Sequence, residues 1–182
     1  MEESRSNILV GTAGPHVYVR VEGKGTHLNS QPLRDFLFGM MDSGFRHFEI
    51  DLANCTYMDS TFIGTLVGVG LRIRKICLAK LSIRRLSPRN RELLQTLGVE
   101  QFFDIDTDSQ SPLADETQLR VLPAGLASKL ERAETMLEAH QTLAGANQSN
   151  EPRFKDCIQF LKEDLVRMKA QNKTSSAPSE KS

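Results

Sequence analysis

Three segments of the chain alternate apolar and polar residues with the period of a β-strand. Val17, Val19 and Val21 are interleaved with Tyr18 and Arg20, and Gly23-Lys24-Gly25 ends the run. Phe48, Ile50 and Leu52 share one side of His47 to Ala53, and Lys80 to Leu86 follows the same pattern. Val99 to Ile105 adds a turn and a last short strand. Between these runs the apolar spacing lengthens to that of a helix. Ser30 offers an N-cap and Pro32 suits a first helical turn, where its missing N–H is not needed. Leu33, Phe36, Leu37, Met40 and Met41 follow, and Gly44 stops the helix. Asp59-Ser60 caps a second helix from about Thr61 to Ile76, and Ser87-Pro88 opens a third that ends before Gly98. Strands alternating with helices at this spacing predict an α/β fold with parallel pairing in at least part of a mixed sheet.

The helix from Thr61 carries Gly64, Gly68 and Gly70 in its interior, where each costs about 1 kcal/mol relative to Ala. Close packing normally offsets such a cost, so the Gly64/Gly68 face is expected to lie tight against the sheet. The pattern changes near Asp106, where a polar linker runs to Pro112. Beyond it the strand signal disappears and two amphipathic helices follow. Leu126, Leu130, Ala133, Leu137 and Ala144 form one stripe, with His140 as its single polar interruption. Phe154, Ile158, Leu161, Leu165 and Met168 form the other without a miss, across the loop Gly145 to Pro152. The expected organisation is a sheet domain over 8–108, a helical hairpin over 113–171 and a disordered tail over 172–182. The hairpin either packs on the core and on itself or serves as a homo-oligomer or partner interface, because two helices alone bury little surface.

Composition narrows the function. Lys and Arg number 23, Asp and Glu number 23, and the net charge is zero, which gives no support for a nucleic-acid surface. Asp35, Asp42, Glu49 and Asp51 are scattered acids expected largely on solvated faces. Cys55, Cys77 and Cys157 are far apart, and His16, His27, His47 and His140 lack ligand spacing, so neither a disulfide framework, a metal site nor a cofactor is predicted. Asp104, Asp106 and Asp108 lack the Gly and distal Glu of a calcium loop. No apolar run reaches the roughly 18 residues of a membrane span, and the acidic N-terminus does not read as a signal peptide. The expected location is cytoplasmic. Neither phosphate-cradling glycine motif nor a GxSxG elbow is present, and no catalytic residues can be singled out.

One triplet stands apart. Asp59-Ser60-Thr61 ends a loop and opens a helix, placing two hydroxyls where free backbone N–H groups and the positive end of the helix dipole favour an added phosphate. Asp and Ser are also ordinary N-caps, and the residues alone are satisfied by capping.

The stretch from about Val17 to Ile105 resembles the STAS domain of bacterial anti-sigma factor antagonists. The resemblance is carried by Phe48-Glu-Ile-Asp-Leu-Ala-Asn-Cys-Thr-Tyr-Met-Asp59-Ser60-Thr61-Phe62-Ile63-Gly64. It is reinforced by Leu86-Ser87-Pro88-Arg89 and by Leu93-Leu94-Gln95-Thr96-Leu97-Gly98-Val99-Glu100-Gln101-Phe102-Phe103. It implies a STAS-like mixed sheet flanked by helices, and a non-enzymatic regulator that switches partners. By the same resemblance Ser60 is the acceptor for a cognate anti-sigma factor-like serine kinase. Thr61 is its alternate, and Asp59, Phe62 and Gly64 support the phosphosite and the partner surface. Phe62 stands where the family usually has Gly, which sets an aromatic beside the acceptor as an expected shield. Thr26 occupies the position of a family Asp. A second reading is a scaffold or accessory subunit, stressosome-like or transporter-associated, that binds partners without modification.

Overall fold

The computed structural model describes residues 6–106, 118–123, 125 and 127–175. Its elements are β1 (Asn7–Ala13), β2 (His16–Gly25), α1 (His27–Asp42), β3 (His47–Asp51), β4 (Cys55–Met58), α2 (Ser60–Cys77), β5 (Leu81–Arg84) and α3 (Pro88–Thr96). A 3-10 turn (Glu100–Phe102), β6 (Phe103–Asp106), β7 (Arg120–Val121), α4 (Lys129–Ala146) and α5 (Asn150–Ser175) follow. The sheet runs in the order β6-β5-β3-β2-β1-β7, and β4 pairs with the far end of β2. The neighbours of β3 and β5 are parallel, and β1 is antiparallel to both β2 and β7.

Alternation along the strands sends Val17, Val19, Val21, Phe48, Ile50, Leu81 and Ile83 to one face, all nearly inaccessible. There they meet Leu33, Leu37 and Met41 of α1 and Phe62, Ile63, Leu66 and Ile73 of α2. The opposite alternation carries charge. Arg20 Nε donates to Asp51 Oδ2 at 3.0 Å, Arg85 pairs with the same carboxylate, and Arg84 pairs with Glu49 at 2.6 Å. Asp51 is therefore wholly buried rather than solvated, since the two guanidiniums replace the water it gives up.

Several elements depart from the sequence expectation. β1 lies before the first expected strand, joined to β2 by a two-residue turn in which Gly14 takes φ 54°. α1 begins at His27, one turn earlier than the Ser30 cap implied. Thr26 and Asn29 form a capping box, with Thr26 N donating to Asn29 Oδ1 at 2.8 Å. Ser30 is instead buried, its hydroxyl donating to the Thr26 carbonyl, and Pro32 lies inside the helix. β7 is a two-residue strand beyond the point where strand signal ended. α5 continues to Ser175, past the expected limit of the hairpin. The rest of the tail, from 176, and the linker from 107 lie outside the described residues.

α4 and α5 do not stand apart from the sheet domain. Leu143 and Phe154 belong to the same buried cluster as the strands. Asn150, wholly buried at the start of α5, donates to the carbonyls of Leu97 (2.8 Å) and Leu143 (3.0 Å). The glycine face of α2 explains this docking. A Cβ on Gly64 would lie 2.4 Å from the Ala139 carbonyl oxygen, so Gly64 meets α4 rather than the sheet. Gly68 has open space around it, and Gly70 approaches the Phe102 carbonyl.

Candidate functional site

β4 ends at Met58, which anchors in the core, and the chain turns directly into α2. Asp59 is the N-cap, its Oδ1 accepting from Phe62 N at 2.8 Å. Its Oδ2 accepts from His27 N at 2.9 Å, so one carboxylate caps the first turns of both α1 and α2. Ser60, the first residue of α2, is half-buried.

Thr61 is 3% exposed and Phe62 is fully buried. Two residues on is about 200° around a helix, so Phe62 faces away from Ser60, into the core. Its ring lies against Gly25, where an added Cβ would meet it at 2.5 Å. The expected aromatic shield over Ser60 is therefore absent, and the burial of Thr61 leaves Ser60 as the accessible hydroxyl of the pair. Thr26, at the end of β2, serves as the cap of α1.

What covers Ser60 comes from the C-terminal hairpin. Gly64 is one helical turn from Ser60 on the same face, and its contact with Ala139 brings the next residue of α4 over the hydroxyl. His140 Nε2 lies 2.9 Å from Ser60 Oγ, and His140 Nδ1 lies 2.8 Å from the Met136 carbonyl oxygen. A carbonyl only accepts, so Nδ1 carries the ring proton, Nε2 presents its lone pair, and the Ser60 hydroxyl donates to it. Burial pushes the His140 pKa down, against smaller opposing effects of the Met136 hydrogen bond and the Asp59 charge. That shift favours the neutral ring. Phe154 of α5 packs at a tilt, 5.3 Å between centroids, and Cys157 Sγ lies 3.9 Å from Nδ1.

A pocket of about 260 Å³ opens beside this pair. Its walls include Tyr57, Asp59, Ser60, Ile63, Arg153 and Phe154. Arg153 reaches the Thr96 carbonyl oxygen at 3.5 Å. The site thus combines a hydroxyl at a helix N-terminus, backed by an imidazole, with a guanidinium on the wall of the same mostly apolar pocket. Of the residues expected at the site, Asp59, Ser60 and Gly64 lie together along the start of α2, whereas His140 and Arg153 were not anticipated. The signal for His140 was its position as the polar break in an apolar stripe; Arg153 left none. Among the described residues no cluster of three or more His, Cys, Asp or Glu side chains could hold a metal ion, and no helix is long and apolar enough to cross a membrane.

Solved structures with a similar fold include the anti-sigma factor antagonist SpoIIAA in its unphosphorylated form. It is 18% identical, covers 48% of this chain and 81% of its own, and has a TM-score of 0.44. The Bacillus SpoIIAA in the phosphorylated form is 17% identical, covers 57% and 94%, and scores 0.46. A Thermotoga maritima protein is 14% identical, covers 60% and 91%, and scores 0.49. No curated protein matches the sequence. The family model described as Mlab, STAS domain matches residues 8–106, from β1 through β6. That match takes in more than half of the chain and every strand of the sheet except β7, and the protein belongs to the STAS domain family.

Proposed function

We propose that this chain is a non-enzymatic regulatory STAS protein. In this reading a protein partner docks on the joined N-terminal ends of α1 and α2, and phosphate on Ser60 controls that docking. The observation that carries the reading is the position of Ser60: it is the half-buried and more accessible hydroxyl of the triplet, at the first turn of α2, on the wall of a pocket. The partner class is an anti-sigma factor-like serine kinase or another regulatory protein, and the setting is the cytoplasm. A phosphate adds about −1.5 to −2 charges beside the Asp59 carboxylate, enough to repel a closely fitted partner and to desolvate poorly beneath it.

The test is a pull-down from the native host with the full chain as bait. Ser60→Asp should weaken capture of the main partner at least about tenfold, which is roughly 1.4 kcal/mol, while Ser60→Ala retains it. Mass spectrometry of the endogenous protein should find phosphate on Ser60. Equal capture by both variants, with Ser60 unmodified in cells, overturns the reading.

One observation favours the alternative of a scaffold or accessory subunit, stressosome-like or transporter-associated. The Ser60–His140 hydrogen bond ties the hydroxyl into the fold, as an unmodified structural cap would be tied. Equal capture by the two variants is the result that reading expects.

A further inference from the structure

Resting on Ser60 as the acceptor, the geometry points to His140 as the proton acceptor of the phosphorylation step, a base that the C-terminal hairpin supplies to the STAS domain in cis. A serine hydroxyl is a weak nucleophile until its proton has somewhere to go. Here the destination is in place: Nε2 is 2.9 Å from Oγ with its lone pair toward the hydroxyl, because Nδ1–H is committed to the Met136 carbonyl. The orientation is built rather than incidental. Gly64 admits the α4 backbone at a distance no side chain would allow, and Phe154 packs against the ring.

The step balances simply. Ser60 Oγ attacks the terminal phosphorus of a nucleoside triphosphate carried by the partner kinase. The Oγ–P bond forms, the bridging P–O bond breaks with departure of the nucleoside diphosphate, and the hydroxyl proton passes to His140 Nε2. The imidazolium then faces the new phosphate as a hydrogen-bond donor. Arg153, on the wall of the same pocket, supplies the second positive charge. The charged or titratable groups that face His140 from the elements packed on it are Asp59 at the start of α2 and Cys157 on α5.

The test needs no kinase. Diisopropyl fluorophosphate reacts with base-activated serines: Oγ–P forms, P–F breaks, fluoride leaves, and the proton goes to the base. The full chain should be labelled at Ser60, as read by intact mass and peptide mapping, and Ser60→Ala should not. His140→Gln keeps a hydrogen-bonding side chain but cannot hold the proton, and labelling should slow by about a hundredfold, with the melting profile showing that the variant is folded. Independently of any variant, the wild-type rate followed from about pH 5 to pH 8 should fall on the acid side, with a midpoint below that of an ordinary histidine. No adduct on Ser60, an equal rate in folded His140→Gln, or a rate that climbs with hydroxide throughout overturns the proposal. Failure of the label while Ser60 carries phosphate in cells removes His140 from the step and leaves the switch standing. A label without cellular phosphate keeps the activated hydroxyl and removes the switch.

Discussion

Two glycines four residues apart on α2 have opposite environments, and their substitution separates packing from helix propensity. A Cβ at Gly64 would meet the Ala139 backbone at 2.4 Å, whereas Gly68 has nothing within 4 Å. Ala gains about 1 kcal/mol over Gly in a helix interior, while overpacking of a backbone contact costs about 3 kcal/mol. Gly68→Ala should therefore raise the urea midpoint by about 1 kcal/mol of stability, and Gly64→Ala should lower stability by about 2 kcal/mol. Equal shifts in the two would mean that α4 is not seated on Gly64. Asp51 supplies a second test at this scale. Burial by itself raises its pKa, but hydrogen bonds from Arg85, the Ala53 N–H and Arg20 outweigh burial and hold the carboxyl below the ordinary carboxylate value. A folded-state pKa below the unfolded one gives stability that is fully present above the unfolded value and lost as pH falls through the folded one. Urea midpoints at neutral pH and at about pH 3 should therefore show an acid-labile component in the wild type. Asp51→Asn should lack that component and be about 3 kcal/mol less stable at neutral pH, because Arg20 and Arg85 then lose their counter-charge. The partner of Gly64 and the burial of Asp51 were not legible beforehand. A glycine's neighbour and an acid's burial depend on which distant element arrives, and local spacing carries no record of it.

At the scale of elements, periodicity worked where an element has one dry face and one wet one. β2, β3, β5, α2, α3 and both C-terminal helices answer to stripes visible in the chain. It failed where that contrast is weak or the element is short: β1 shows only partial alternation, β4 reads as a loop, and β7 has two residues. The stripe on α5 is spent inside the molecule. Leu161 and Leu165 are 5% and 6% exposed, leaving Phe160 and Val166 as the large apolar residues on its outer side. Leu161→Asp places an unpaired charge in that buried row, at a cost of several kcal/mol. The hairpin should loosen, seen as lower helicity and a lower melting temperature. Because α4 holds His140, labelling of Ser60 by diisopropyl fluorophosphate should slow with it. Unchanged helicity and melting would show that the row bears little of the packing.

For the whole molecule, the family signature and the strand–helix alternation made the sheet and its two covering helices legible, together with the Asp59-Ser60 corner. What they left out is that the hairpin completes that corner. His140 and Ser60 are 80 residues apart in sequence, and two amphipathic stripes say that a surface is wanted without saying which one. Asp59 shows what the completed corner means for recognition. A single carboxylate receives the first N–H groups of two helices, so the ends that would otherwise fray are tied to each other before any partner arrives. Little there has to be frozen on contact. Less contact energy is then spent on ordering, and docking can proceed at a rate governed by collision and orientation rather than by waiting for a loop to settle.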